Sequence, residues 1–100
     1  MSYPYTPEKF DHGSNLDIDT AAEQLTTVSI PCKIGIVIKA DDDNTGDIYV
    51  GNSDVTAGTV AATDGFRLGP GDGLFLEVAN ANQIYVIGSA VNQKAWFLTV

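Results

Sequence analysis

From Gln24 to Val100 the apolar residues come in short runs, and Gly, Pro, Asn or Asp residues close each run. Runs of five to seven residues rich in Ile, Val, Tyr and Phe between turn residues are the pattern of β-strands, and they leave no room for a helix of useful length. Strands are expected over 24–30, ending at Pro31, and over Ile34-Gly-Ile-Val-Ile-Lys-Ala40, whose apolar content implies burial on both faces. Further strands are expected over 47–51, 74–78, 83–87 and 94–100, with a short edge strand over Gly58-Thr-Val-Ala-Ala62. The connections 79–82 and 88–93 have hairpin lengths. Ile48-Tyr-Val-Gly-Asn-Ser53 is echoed by Ile84-Tyr-Val-Ile-Gly-Ser89, which suggests two similar hairpins. Four glycines and a proline within 65–73 predict several left-handed corners. The expected fold is all-β: a small antiparallel β-sandwich or barrel of six to eight short strands.

The first twenty residues differ from the rest. Pro4, Pro7 and Gly13 interrupt an irregular polar segment, which predicts an extended N-terminal arm over 1–20 and a single β-sandwich domain over 21–100. The arm carries Tyr3, Tyr5 and Phe10, aromatic side chains that favour docking on the domain body or on a neighbouring subunit over trailing in water. Thr20 and Glu23 have the spacing of a capping box, so one helical turn at most is expected before the first strand. A chain of 100 residues makes one compact domain. Its single cysteine, Cys32, cannot form an intramolecular disulfide, so stability has to come from the core or from subunit contacts.

Charge narrows the function. Thirteen acids against five bases give a formal net charge of −8, and Lys9, Lys33, Lys39, Arg67 and Lys94 are scattered, so nucleic acid is not an expected partner. No apolar run approaches the roughly 18 residues needed to span a bilayer, and Met1-Ser-Tyr-Pro-Tyr-Thr-Pro7 lacks a basic end followed by an apolar stretch. No signal peptide, membrane anchor or membrane partner is expected, and synthesis is expected in a cytosol. Residues 75–100 carry only Glu77 and Lys94, while combining Phe75, Tyr85, Trp96 and Phe97 with small polar residues. That composition fits a core plus a subunit contact, and the four aromatics are the candidate oligomer interface, unless all four fill the monomer's own core.

Catalytic and metal chemistry find little support. His12, the one histidine, stands beside Asp11 with no cysteine or second histidine nearby, and zinc sites take three or four close ligands. Cys32, between Pro31 and Lys33, reads as a small buried filler. Pro70-Gly-Asp72 resembles the Pro-Gly-Asp turn of cupins, but the His-x-His and Glu ligands of a catalytic cupin are missing. Asp41, Asp43, Thr45 and Gly46 occupy the first, third, fifth and sixth places of a calcium loop, yet Asn52 at the twelfth cannot supply a bidentate carboxylate. An acidic, solvated turn over 41–46 is the better reading, with a divalent ion at a subunit contact as the alternative. No enzyme activity and no cofactor are expected.

The succession Leu25…Ile30-Pro-Cys-Lys33, Ile38-Lys-Ala40, Asn44-Thr-Gly-Asp-Ile-Tyr-Val-Gly51, Gly65-Phe-Arg-Leu-Gly-Pro-Gly-Asp72, Leu76-Glu-Val78 and Ile84-Tyr-Val-Ile-Gly88 resembles the small all-β virion proteins of tailed bacteriophages. The resemblance covers roughly residues 20–100. It implies a non-enzymatic protein present in many copies on a particle, of the head decoration or cement type, with the major capsid protein as partner and the outer surface of the head as location. Self-association, expected as a trimer, would place Phe75, Tyr85, Trp96 and Phe97 at the contact and lay Tyr3, Tyr5 and Phe10 across the capsid or the next protomer. The alternatives are a neck or tail component and a receptor- or carbohydrate-binding module, for which Tyr49, Tyr85 and Trp96 are the stacking candidates.

Overall fold

A computed structural model describes residues 10–100 of the chain. Eight strands form two antiparallel four-stranded sheets. Sheet A has the order β1 (His12–Ile18), β8 (Gln93–Thr99), β3 (Ile36–Ala40), β6 (Gly73–Leu76). Sheet B has the order β2 (Glu23–Gln24), β7 (Tyr85–Gly88), β4 (Ile48–Gly51), β5 (Phe66–Leu68). Orders 1-8-3-6 and 2-7-4-5 make an eight-stranded jelly roll. The expected all-β sandwich is therefore the observed architecture, and the barrel alternative falls away.

Alternation along the strands places the core between the sheets. In β3, Ile36, Ile38 and Ala40 point inward while Val37 and Lys39 point out. In β8, Gln93, Ala95, Phe97 and Thr99 point inward while Lys94, Trp96 and Leu98 point out. Ile48, Val50, Leu68 and Val86 close the core from sheet B, and Ile18 and Leu25 complete it. The expectation that 34–40 is buried on both faces is corrected: only one face is covered, and the apolar Val37 on the other side hid the alternation.

The arm ends earlier than expected. Residues 12–18 are β1, an integral strand paired with β8 from His12↔Leu98 to Ile18↔Gln93, with an irregularity between Asn15 and Ile18. Thr99 fastens its start, its hydroxyl accepting from Asp11 N at 2.8 Å. Gly13 and polar residues obscured this strand because it lies at a sheet edge and sends only Ile18 fully into the core. Tyr3 and Tyr5 lie outside the described residues; Phe10 is described and is exposed.

The capping box expected at Thr20 does not form. The Glu23 carboxylate accepts instead from Asp19 N at 3.3 Å and from Asn15 Nδ2 at 3.5 Å, and Glu23 begins β2. The strand expected over 24–30 is only this two-residue pairing, because Thr26 Oγ1 and Asn80 Oδ1 take the Val28 and Ile30 N–H groups that a ladder would use. A capping box does occur at Asn80–Gln83, where a single 3-10 turn joins β6 to β7.

The hairpins expected at 79–82 and 88–93 are crossings between sheets, since β6 and β8 lie in sheet A and β7 in sheet B. The echoed segments instead lie side by side, with Tyr49 opposite Ile87 and Gly51 opposite Tyr85. No strand forms over 58–62: Gly58 (φ 64°) and Val60 (φ 58°) are left-handed, which breaks extended pairing. Within 65–73 only Gly71 (φ 83°) is left-handed, fewer corners than expected.

Candidate functional site

The outer face of sheet A carries an apolar patch. Register fixes two rows across it: Phe75, Val37, Leu98 and His12 in one, Gly73, Lys39, Trp96 and Ser14 in the next. Phe75 is 46% and Trp96 47% exposed, with Val37 and Leu98 also exposed between them. Val37, Lys39, Trp96 and Leu98 rim a shallow depression of about 140 Å³. Contiguous apolar surface centred on a tryptophan and edged by charge has the anatomy of a protein contact.

The acidic turn borders this patch and is tied to it. The Trp96 indole donates from Nε1 to Asp41 Oδ1 at 2.9 Å, and Asp41 Oδ2 accepts from Asp43 N at 3.1 Å. The Trp96 hydrogen bond, and then that from Asp43, hold the Asp41 carboxyl below its ordinary range, with Lys94 and Lys39 adding to the effect. Asn44 clasps β8 by donating to Lys94 O at 2.9 Å and accepting from Lys94 N at 2.8 Å. Gln93, only 1% exposed, anchors the far side: Oε1 accepts from Gly46 N at 2.8 Å and Nε2 donates to Thr45 Oγ1 at 3.0 Å. Asp41 and Thr45, the first and fifth places of the calcium-loop pattern, thus have oxygens engaged within the chain. Among the described residues no group of three or more His, Cys, Asp or Glu side chains is placed to hold a metal ion. Lys39 Nζ lies 3.4 Å from Asp42 Oδ1, an exposed ion pair at the rim.

The four interface candidates are separated. Phe75 and Trp96 share the outer face of sheet A, but Phe97 is 5% exposed and belongs to the core, correcting its assignment to an interface. Tyr85 is on sheet B, on the opposite side of the molecule from Trp96. The stacking candidates divide in the same way, Tyr49 and Tyr85 on sheet B and Trp96 on sheet A, so they do not form one platform. Val37, Leu98 and Lys39 were missed as site residues. Strict alternation of Lys94, Trp96 and Leu98 against Ala95, Phe97 and Thr99 was the signal that separates Trp96 from Phe97.

Sheet B's outer side is partly covered. Residues 52–64 fold over it, placing Thr56, Ala57 and Thr59 around Ile87, which is buried although it lies outside the main core. Asp64 holds the loop by accepting from Thr56 Oγ1 at 2.7 Å, Thr59 N at 3.1 Å, Thr59 Oγ1 at 2.9 Å and Ala61 N at 3.2 Å. These bonds, that from Thr56 foremost, push its pKa far below the ordinary carboxylate value. Arg67 is engaged by Asp47 at 2.8 Å, and the bond raises the guanidinium pKa.

The remaining candidates have structural surroundings. Cys32 is buried, its Sγ 3.6 Å from Ile30 O, and burial raises the thiol pKa. His12 is exposed on β1 opposite Leu98. Pro70-Gly-Asp72 is the β5–β6 turn, closed by Gly69 N donating to Asp72 Oδ2 at 2.9 Å. A lateral cleft of about 250 Å³ opens between the β6 edge and β4–β5, lined by Val50, Phe66, Leu74, Leu76, Val78 and Ile84 among others. Comparison of the chain with protein-family models, with curated proteins and with solved structures gave no match in any of the three.

Proposed function

We propose that this chain is a structural protein of a tailed-bacteriophage virion, a decoration or cement protein that binds the outer surface of the assembled head and bridges capsid subunits. The observation that carries the reading is the apolar face of sheet A, which the described residues leave uncovered, with Trp96 and Phe75 exposed on it. A face of this kind suits contact between copies of a protein present in many copies on one shell. The frame adds support of a general kind, since jelly rolls recur in capsid and lectin domains. Binding that requires the assembled lattice stabilises it by mass action, and many weak contacts on one shell add through multivalency. A subunit of net charge −8 is steered toward basic patches on the major capsid protein and keeps finished particles mutually repulsive. Self-association of copies on the shell belongs to the same reading.

The carbohydrate-binding reading draws less support, because Tyr49, Tyr85 and Trp96 are divided between the two sheets. A thermal-release assay on heads stripped of the protein and heads reconstituted with it tests the proposal, with adsorption to cells scored in parallel. Stripped heads are expected to assemble but rupture at lower temperature or under milder osmotic shock. Equal melting of both, with adsorption lost, would transfer the reading to a receptor-binding module.

A further inference from the structure

The outer face of sheet A is self-complementary. Its midline runs between β3 and β8, and three pairs flank it: Val37 beside Leu98, Lys39 beside Trp96, and Asp41 beside Lys94. In the last pair, Asp41 N donates to Lys94 O at 3.0 Å. A two-fold axis laid along this midline exchanges the two strands, so each side chain of one copy meets the other member of its pair in the second. Leu98 then faces Val37, the Trp96 indole faces the Lys39 ammonium, and Lys94 faces the Asp41 carboxylate. These are apolar on apolar, cation on π-face and opposite charges, all attractive. Face-to-face sheets keep their strands within about 30° of one another, which a two-fold axis along the strands satisfies.

Charge on this face fits self-recognition in the two-fold arrangement. Copies of net charge −8 repel one another, and the acidic turn beside this face adds to that repulsion unless its carboxylates meet cations of the second copy. Lys39, paired with the exposed Asp42, and Lys94 both project from sheet A and supply cations at this face. We propose that the partner of this face is a second copy of the chain, in an isologous two-fold dimer centred on Val37, Leu98 and Trp96. The inference rests on the self-association part of the reading above, and puts a two-fold contact at this face where the sequence leads one to expect a trimer.

Sedimentation equilibrium on the full chain tests it. The wild-type protein is expected to show a concentration-dependent mass reaching two chains. Val37→Glu places a carboxylate on the midline without touching the core, and is expected to raise the dimer Kd at least about 100-fold with an unchanged circular dichroism spectrum. Lys94→Glu, which keeps the backbone bonds to Asn44, sets Glu against Asp41 twice per dimer. It is expected to raise the Kd about 10-fold at low salt, the difference shrinking at high salt. Should Val37→Glu fail to fold, the Lys94→Glu result and its salt dependence decide. A two-chain mass indifferent to these variants overturns the proposed face. A three-chain mass overturns the two-fold arrangement and leaves self-association standing, while a monomer at every concentration overturns both. Head stabilisation is read separately in the release assay, so its failure leaves the dimer untouched.

Discussion

The two outer faces of the sandwich are both built from short strands bearing aromatic residues, yet among the described residues one is partly clothed and the other is bare. Over sheet B, residues 52–64 supply a lid that buries Ile87 and is held by the Asp64 carboxylate. Over sheet A the described residues supply only the acidic turn at one end, and among them Phe75, Val37, Leu98 and Trp96 stay exposed. A sheet is covered by its own chain only where a connection is long enough and has polar anchors to return its backbone to the surface. The 14-residue connection between β4 and β5 does this, whereas the shorter β6–β7 and β7–β8 connections are used up in crossing between sheets.

The largest effect should come from comparing the two sides of one strand. Ile38 is fully buried and Val37 is exposed beside it. Ile38→Ala is expected to cost about 2–5 kcal/mol by urea denaturation. Val37→Ala should leave the folded monomer within about 0.5 kcal/mol, because no cavity is made. Equal losses at both positions would mean that sheet A is covered after all, and the contrast between the faces would be lost.

A smaller effect is expected in the lid. Gly58 is left-handed, and a Cβ there would lie 2.6 Å from Tyr49 Oη. Gly58→Ala is expected to cost about 1–2 kcal/mol, from left-handed backbone strain in an L-residue. Cleavage within 56–64 under limited proteolysis should rise with it, while surface association through sheet A is unaffected.

Acid should also separate the faces. Asp64 has a folded pKa depressed below its ordinary value of 3.8, so its contribution is fully present above that value and is lost only as pH falls through the lower folded value. The lid is therefore expected to stay in place at a pH where ordinary carboxylates are half protonated, and Asp64→Asn should remove this part of the acid dependence. Proteolysis of the two proteins between pH 5 and pH 2, with an acid protease, checks it.

The smallest signal is spectroscopic. Trp96 is the only tryptophan, so tryptophan emission, excited selectively over tyrosine, reports on sheet A alone. Since the Asp41 pKa is lowered, the emission change from losing the Trp96 hydrogen bond should come below pH 3.8, and acrylamide quenching should weaken as the protein concentration rises.

How much of this was legible beforehand depended on alternation and on ladder bonds. The strands that became β3, β4, β6, β7 and β8 are readable because their apolar runs are bounded by turn residues. β1 was hidden because an edge strand rich in Gly, Ser, Asn and Asp sends few apolar side chains inward. The expected strand over 24–30 failed because Thr26 and Asn80 captured its N–H groups, one of them from fifty residues away. Phe75 and Trp96 were identifiable as surface candidates from composition. Phe97 was grouped with Trp96 although neighbours in a strand point to opposite faces. Val37 and Lys39 could be joined to that patch only once β3 was known to lie between β6 and β8.

The pairing of β1 with β8 also bears on how the chain is made. β8 is the central link of sheet A, bonded to β1 on one side and β3 on the other. During synthesis β1 emerges first and has no partner until β8, some eighty residues later, leaves the ribosome. Until then β3 and β6 can pair, but an edge of β3 and the whole of β1 stay open, with the inward side chains Ile18, Ile36 and Ile38 uncovered. Folding of sheet A is thereby deferred until β8 is made and slowed by distant contacts. Nascent chains crowded on one message are then at their most adhesive just before β8 emerges. The same late closure leaves the unfinished sheet open to wrong pairing for as long as β8 is missing.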